Sequence, residues 1–117
     1  MGIRVVFVDD EPDICELVVD MFGEKDILIE SFTDSEQAIK HIHEVMPDLV
    51  IVDFRMPETT GERLAARLPA GIPVACASGD LNLESKYPFV KILKKPFEME
   101  YIREFIGSYL AAKKGNS

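Results

Sequence analysis

Tryptophan is absent from this 117-residue sequence, and cysteine and histidine occur only twice each. Cys15 and Cys76 lie far apart and make no C-x-x-C or metal-ligand spacing, which argues against a disulfide framework or a zinc site. They read as small core residues of a protein kept in a reducing cytoplasm. His41 and His43 stand two positions apart on a candidate helix, point to different sides and cannot share a metal ion. Beside Lys40 and Glu44 they are expected to face solvent. No apolar run approaches the ~20 residues of a membrane span. The run at the amino terminus is interrupted by Arg4, Asp9, Asp10 and Glu11, so no signal peptide is expected. Basic residues are few, 13 Lys and Arg against 21 Asp and Glu, for a net charge of −8. That balance argues against affinity for nucleic acid or an anionic membrane, both of which need basic surfaces. The length fits one domain, and 47% hydrophobic with 29% charged residues is the balance of a folded chain.

Short apolar runs alternate with amphipathic stretches. Ile3–Val8 reads as a first strand, and Pro12–Phe22 as a helix with Ile14, Leu17, Val18, Met21 and Phe22 at helical spacing and Gly23 as its stop. Ile27–Phe32 is a second strand. Asp34 or Ser35 can cap a second helix whose inner face is Ala38, Ile39, Ile42 and Val45. Leu49–Val52 is the third strand, followed by a loop and a short helix carrying Leu64, Ala65 and Leu68. Pro73–Ala77 and Phe89–Leu93 are the fourth and fifth strands, and a last helix runs from about Glu98 to Ala112. Between the last two strands Leu81, Leu83 and Tyr87 offer little helical period, so the fourth helix is expected to be short or irregular. Near-continuous apolar strands, each followed by a helix, predict an α/β sandwich with a parallel sheet covered on both faces. Residues 1–112 are expected to be the domain, and 113–117 a frayed tail or the start of a linker.

In such a sheet, ligands bind beyond the carboxyl ends of the strands. Asp9, Asp10 and Glu11 follow the first strand, Asp53 the third, Ser78 and Gly79 the fourth, Lys95 and Pro96 the fifth. Singly, each has an ordinary explanation: Asp9 and Asp10 as helix caps, Asp53 and Ser78 as turn residues, Lys95 as surface charge. Together, at four strand ends, they make a site. Converging carboxylates need a compensating cation, and oxygen ligands in a half-solvated place suit Mg²⁺. With the Lys95 ammonium opposite, a phosphoryl group can be brought up and a carboxylate can act as its nucleophile.

At these residues the chain resembles the receiver domain of two-component response regulators, among them the chemotaxis-type single-domain receivers. The resemblance is carried by Val6-Phe7-Val8-Asp9-Asp10-Glu11-Pro12, by Pro47 to Pro57 with Gly61, by Ala77-Ser78-Gly79 and by Lys95-Pro96-Phe97. It implies a flavodoxin-like doubly wound (βα)5 sandwich with strand order 2-1-3-4-5. It implies that Asp53 accepts a phosphoryl group from a phosphohistidine of a sensor histidine kinase or phosphotransfer protein. It also implies that Asp9, Asp10, Asp53 and the backbone carbonyl of Arg55 hold Mg²⁺, that Ser78 and Lys95 contact the phosphoryl oxygens, and that Lys95-Pro96 is a candidate cis bond. The expected role is a phosphorelay switch acting on a partner or a fused output domain, an enzyme only toward its own phosphorylation and hydrolysis.

Two features depart from the family pattern. Ile92 stands where family members commonly carry an aromatic switch residue, and the Ser78–Lys95 segment is short. These favour an alternative, a protein-binding module on the same fold that works without phosphorylation. An aspartyl phosphatase fits less well, since Arg55 occupies the place two after Asp53 where that class has an acid. A flavodoxin-like cofactor binder lacks its phosphate loop after the first strand. Arg55 and Asp80 are expected at the mouth of the crevice, where both are either simply solvated, worth at most ~1 kcal/mol to each other, or paired so as to restrict the attacking water.

Overall fold

The computed structural model describes residues 2–80 and 84–115. Five strands, β1 (Ile3–Val8), β2 (Ile27–Phe32), β3 (Leu49–Asp53), β4 (Val74–Ser78) and β5 (Lys91–Lys94), form one sheet in the order β2-β1-β3-β4-β5. All pairings are parallel. This is the flavodoxin-like doubly wound order that the resemblance implied. Its physical basis is visible in β3 and β4, which are buried at every residue because helices cover both faces.

Alternation along the strands divides the core in two. Ile3, Val5, Phe7, Leu49, Ile51 and Leu93 face α1 (Pro12–Phe22) and α4 (Met99–Gly115). Val6, Val8, Val50, Val52 and Val74 face α2 (Ser35–Val45) and α3 (Gly61–Ala66). α2 starts at Asp34, whose carboxylate accepts the Gln37 N–H, and α3 at Thr60, whose hydroxyl accepts the Arg63 N–H. Cys15 and Cys76 are free and buried, as expected. No helix among the described residues is long and apolar enough to cross a membrane.

Several expectations are corrected. β5 begins at Lys91 rather than Phe89, because the Phe89 N–H turns back to the Tyr87 carbonyl and the two rings pack 4.9 Å apart against the α2–α3 side. Leu81 and Leu83 lie outside the described residues. The described part of the β4–β5 crossover holds no helix. α4 continues past Ala112 to Gly115, since Lys113 pairs with Asp48 at 3.3 Å and Lys114 with Asp26 at 2.9 Å. Asn116 and Ser117 lie outside the described residues. His41 does not face solvent. Its Nε2 lies 3.0 Å from a Glu30 oxygen and its ring packs 5.0 Å from that of Phe32, while Glu30 also pairs with Arg4 at 2.9 Å. His43 is exposed, with Nε2 2.8 Å from the Arg67 carbonyl oxygen.

Candidate functional site

β1 delivers Asp9 to the carboxyl edge of the sheet with no exposed surface. Besides the Lys95 ammonium, three bonds hold it. Its N–H donates to the Phe32 carbonyl at 3.1 Å, its Oδ1 accepts the Glu11 N–H at 3.0 Å, and its carbonyl accepts the Cys15 thiol at 3.3 Å. The residue capping α1 is Glu11, and it makes no side-chain cap bond. Asp9 and Asp10 are therefore not spent as helix caps. The thiol contact was not legible in the sequence, because it needs α1 folded back over the end of β1.

Asp53 is the last residue of β3 and 7% exposed. The chain beyond it is clamped: the Phe54 N–H donates to Ala77 at 2.9 Å, and the Gly61 N–H returns to the Phe54 carbonyl at 2.8 Å. A Cβ on Gly61 would lie 2.9 Å from the Asp53 carbonyl oxygen and 3.1 Å from Phe54 Cα. Only glycine leaves room for this return. Ser78 ends β4, 5% exposed, with its Oγ accepting the Asp80 N–H at 3.0 Å. That bond occupies an oxygen lone pair and leaves the hydroxyl proton available to a ligand.

Lys95 closes the site from beyond β5. Its N–H donates to the Ser78 carbonyl at 2.9 Å, and its Nζ lies 2.9 Å from Asp9 Oδ2 and 3.2 Å from Asp53 Oδ1. The Lys95-Pro96 peptide is cis, as the resemblance implied. Carboxylate oxygens of Asp9, Asp10 and Asp53 all lie within 4.8 Å of one another. Three carboxylates and one ammonium leave the cluster net negative, and its donor set is all oxygen, so the residues fit a hard divalent cation such as Mg²⁺.

Burial, reinforced by the Asp9 charge and opposed by Lys95, raises the Asp53 carboxyl above its ordinary range. Burial works against the Lys95 ammonium, yet its hydrogen bond to Asp9 and attraction to Asp53 outweigh that, so its pKa is raised. Lys95 is a fixed positive charge here. Arg55 and Asp80 do meet at the mouth, with NH2 and Oδ2 4.0 Å apart and side chains 78% and 41% exposed. Ile92 stands 40% exposed on β5. A groove that the sequence did not announce borders the site, lined by Ile14 and Leu17 of α1, by Lys95, and by Pro96, Phe97 and Met99.

Comparison with known proteins gives the family and the fold. The family model of the response regulator receiver domain matches residues 5–106. The chain is 33% identical over 110 residues to the positive alginate biosynthesis regulatory protein of Pseudomonas aeruginosa, covering 86% of this chain and 44% of that protein. It thus spans less than half the length of that relative. Sporulation initiation phosphotransferase F of Bacillus subtilis is 26% identical over 121 residues, covering 97% of this chain and 98% of that one. Among solved structures, the chemotaxis response regulator CheY4 of Vibrio cholerae superposes with a TM-score of 0.81 at 22% identity, over 94% of this chain and 100% of that one. That last likeness speaks for the fold alone. With the family model matched over most of its length, the chain belongs to the response regulator receiver domain family.

Proposed function

We propose that Asp53 is the phosphoacceptor of a phosphorelay and that Asp9, Asp10 and Asp53, with the Arg55 carbonyl, hold Mg²⁺. The observation that carries this reading is Lys95, whose ammonium spans Asp9 and Asp53 at the ends of neighbouring strands. An Asp53 oxygen attacks the phosphorus of a phosphohistidine, a P–O bond forms as the P–N bond breaks, and the imidazole leaves with the electron pair. Lys95 and the Ser78 hydroxyl hold the oxygens of the transferred group. Bound Mg²⁺ would add neutralisation of the charge brought in by the phosphoryl group. Hydrolysis of the acyl phosphate resets the site, so catalysis is confined to the domain's own modification.

The donor is a sensor histidine kinase or a phosphotransfer protein in the cytoplasm. The groove between α1 and the turn after β5 supports that partner, because it is apolar and ends at Lys95. Leu17 and Met21 are exposed along the same helix, 41% and 38%. The partial coverage of the Pseudomonas relative supports a fused output domain as one element that the switch acts on.

Intact-mass measurement after incubation with Mg²⁺ and a small acyl phosphate tests the reading. One added phosphoryl group is expected, absent without Mg²⁺ and in Asp53→Ala. A folded, Mg²⁺-binding protein that gains no adduct would instead establish the module that acts by contact alone, the reading that Ile92 and the helix-free described part of the crossover favour.

A further inference from the structure

Asp10 is the least fixed member of the acidic cluster. Asp9 and Asp53 are buried and both meet the Lys95 ammonium. Asp10 is half-buried, and its carboxylate has no hydrogen bond or ion pair among the described residues. Its place is set through its two neighbours. The Glu11 N–H donates to Asp9 Oδ1 at 3.0 Å, the Cys15 N–H to the Glu11 carbonyl at 3.2 Å, and the Cys15 thiol back to the Asp9 carbonyl at 3.3 Å. These three bonds close a ring around Asp10, and Cys15 makes two of them.

Cys15 is 4% exposed, and its sulfur also lies 3.8 Å from the Phe32 carbonyl, which accepts the Asp9 N–H at 3.1 Å. The sulfur thus sits at the junction of β1 and β2. With one proton to give, it serves the nearer oxygen, that of Asp9. Asp9 has no exposed surface, so without the thiol its carbonyl is a buried acceptor with no donor among the described residues. Such an acceptor is relieved by turning its peptide toward water. Here that turn moves the Asp9–Asp10 peptide, and the Asp10 carboxylate with it. Carboxylates that ligate a metal depend on outer contacts of this kind for their aim.

We propose that Cys15 is a positioning residue for divalent-cation binding: its thiol fixes the Asp9–Asp10 peptide and thereby aims the Asp10 carboxylate. The inference rests on the reading that Asp9, Asp10 and Asp53 hold Mg²⁺. Cys15 acts as a hydrogen-bond donor of fitting size, and its sulfur undergoes no reaction.

The test compares Mg²⁺ affinity, by calorimetric titration of the full chain, in the parent and in Cys15→Ser, Cys15→Val and Cys15→Ala. Serine keeps a donor, valine keeps bulk without a donor, and alanine keeps neither. The serine variant is expected to bind close to the parent, and the valine and alanine variants about tenfold or more weakly. Amide exchange in the metal-free protein gives a second readout. At Glu11 and Cys15 it is expected to quicken by about tenfold or more in the valine and alanine variants, with β3 unchanged. Affinity that follows bulk, with valine like the parent and serine weak, overturns the proposal. Equal affinity in all four proteins does so too, as does unchanged exchange at Glu11. The affinity series decides this inference whether or not Asp53 takes a phosphoryl group. A parent that binds no Mg²⁺ overturns it together with the metal reading.

Discussion

Lys95, just beyond the end of β5, reaches two carboxylates, and its raised pKa keeps it charged at any physiological pH. Around it, two side chains make separate predictions. Arg55 and Asp80 meet at 4.0 Å across the mouth, both solvated, so the pair is worth at most about 1 kcal/mol to stability. If Asp53 is phosphorylated as proposed, the expected effect is kinetic: Arg55→Ala should shorten the lifetime of the phosphorylated form, read from decay of the mass adduct, and equal decay in parent and variant removes the role. Cys76 is a different kind of residue, buried in β4, where burial and the nearby Asp53 charge push its thiol from 9.0 up to about 12. The native protein should resist alkylation there at pH 8 and react only once unfolded. The unfolded chain ionises this thiol first, so stability is whole below pH 9 and falls as pH rises toward 12. Each such group contributes about 1.4 kcal/mol per pH unit in its window. The raised values of Cys15 and Tyr109 act in the same direction. Denaturant midpoints measured between pH 8 and 10 check this; a flat profile contradicts it.

The β3–α3 connection fixes the site at the scale of elements. Asp53 is held because the chain after it pairs with β4 through Phe54 and then returns at Gly61 against its own backbone. Gly61→Ala puts a methyl group where backbone atoms leave no room. The expected result is a loss of about 1–3 kcal/mol and a slower phosphoryl adduct, measured by denaturant unfolding and by mass. Normal stability with normal phosphorylation would show that the loop moves aside. α4 illustrates the opposite case, an end decided by charge. Lys113 and Lys114 reach Asp48 and Asp26 at the amino-terminal edge of the sheet and hold the last turn in place.

For the whole molecule, the crowding of Asp9, Asp10 and Asp53 at the carboxyl edge is a cost to stability. Removing one charge relieves it. Asp53→Asn should raise the stability of the metal-free protein by on the order of 1 kcal/mol. Added Mg²⁺ should raise the melting midpoint of the parent, which it binds only when folded, and have a much smaller effect on the variant. Thermal unfolding with and without Mg²⁺ reads both effects. An Asp53→Asn protein no more stable than the parent would show that Lys95 already neutralises the cluster.

Much of this protein was determined along the chain. Apolar runs such as Leu49-Val50-Ile51-Val52 specify buried parallel strands, because nothing else hides such runs in water. A polar residue straight after each run marks the ligand edge, so Asp9, Asp53, Ser78 and Lys95 were legible as a set. What the tertiary structure decided depends on neighbours distant in sequence. His41 is drawn inward by Glu30 and Phe32, β5 starts two residues late because Phe89 turns into the core, and α4 runs on because two lysines find aspartates at the far edge of the sheet. The Cys15 bond to Asp9 and the groove beside Lys95 have the same origin. Local periodicity carries no record of which distant groups will meet, and only packing brings them together.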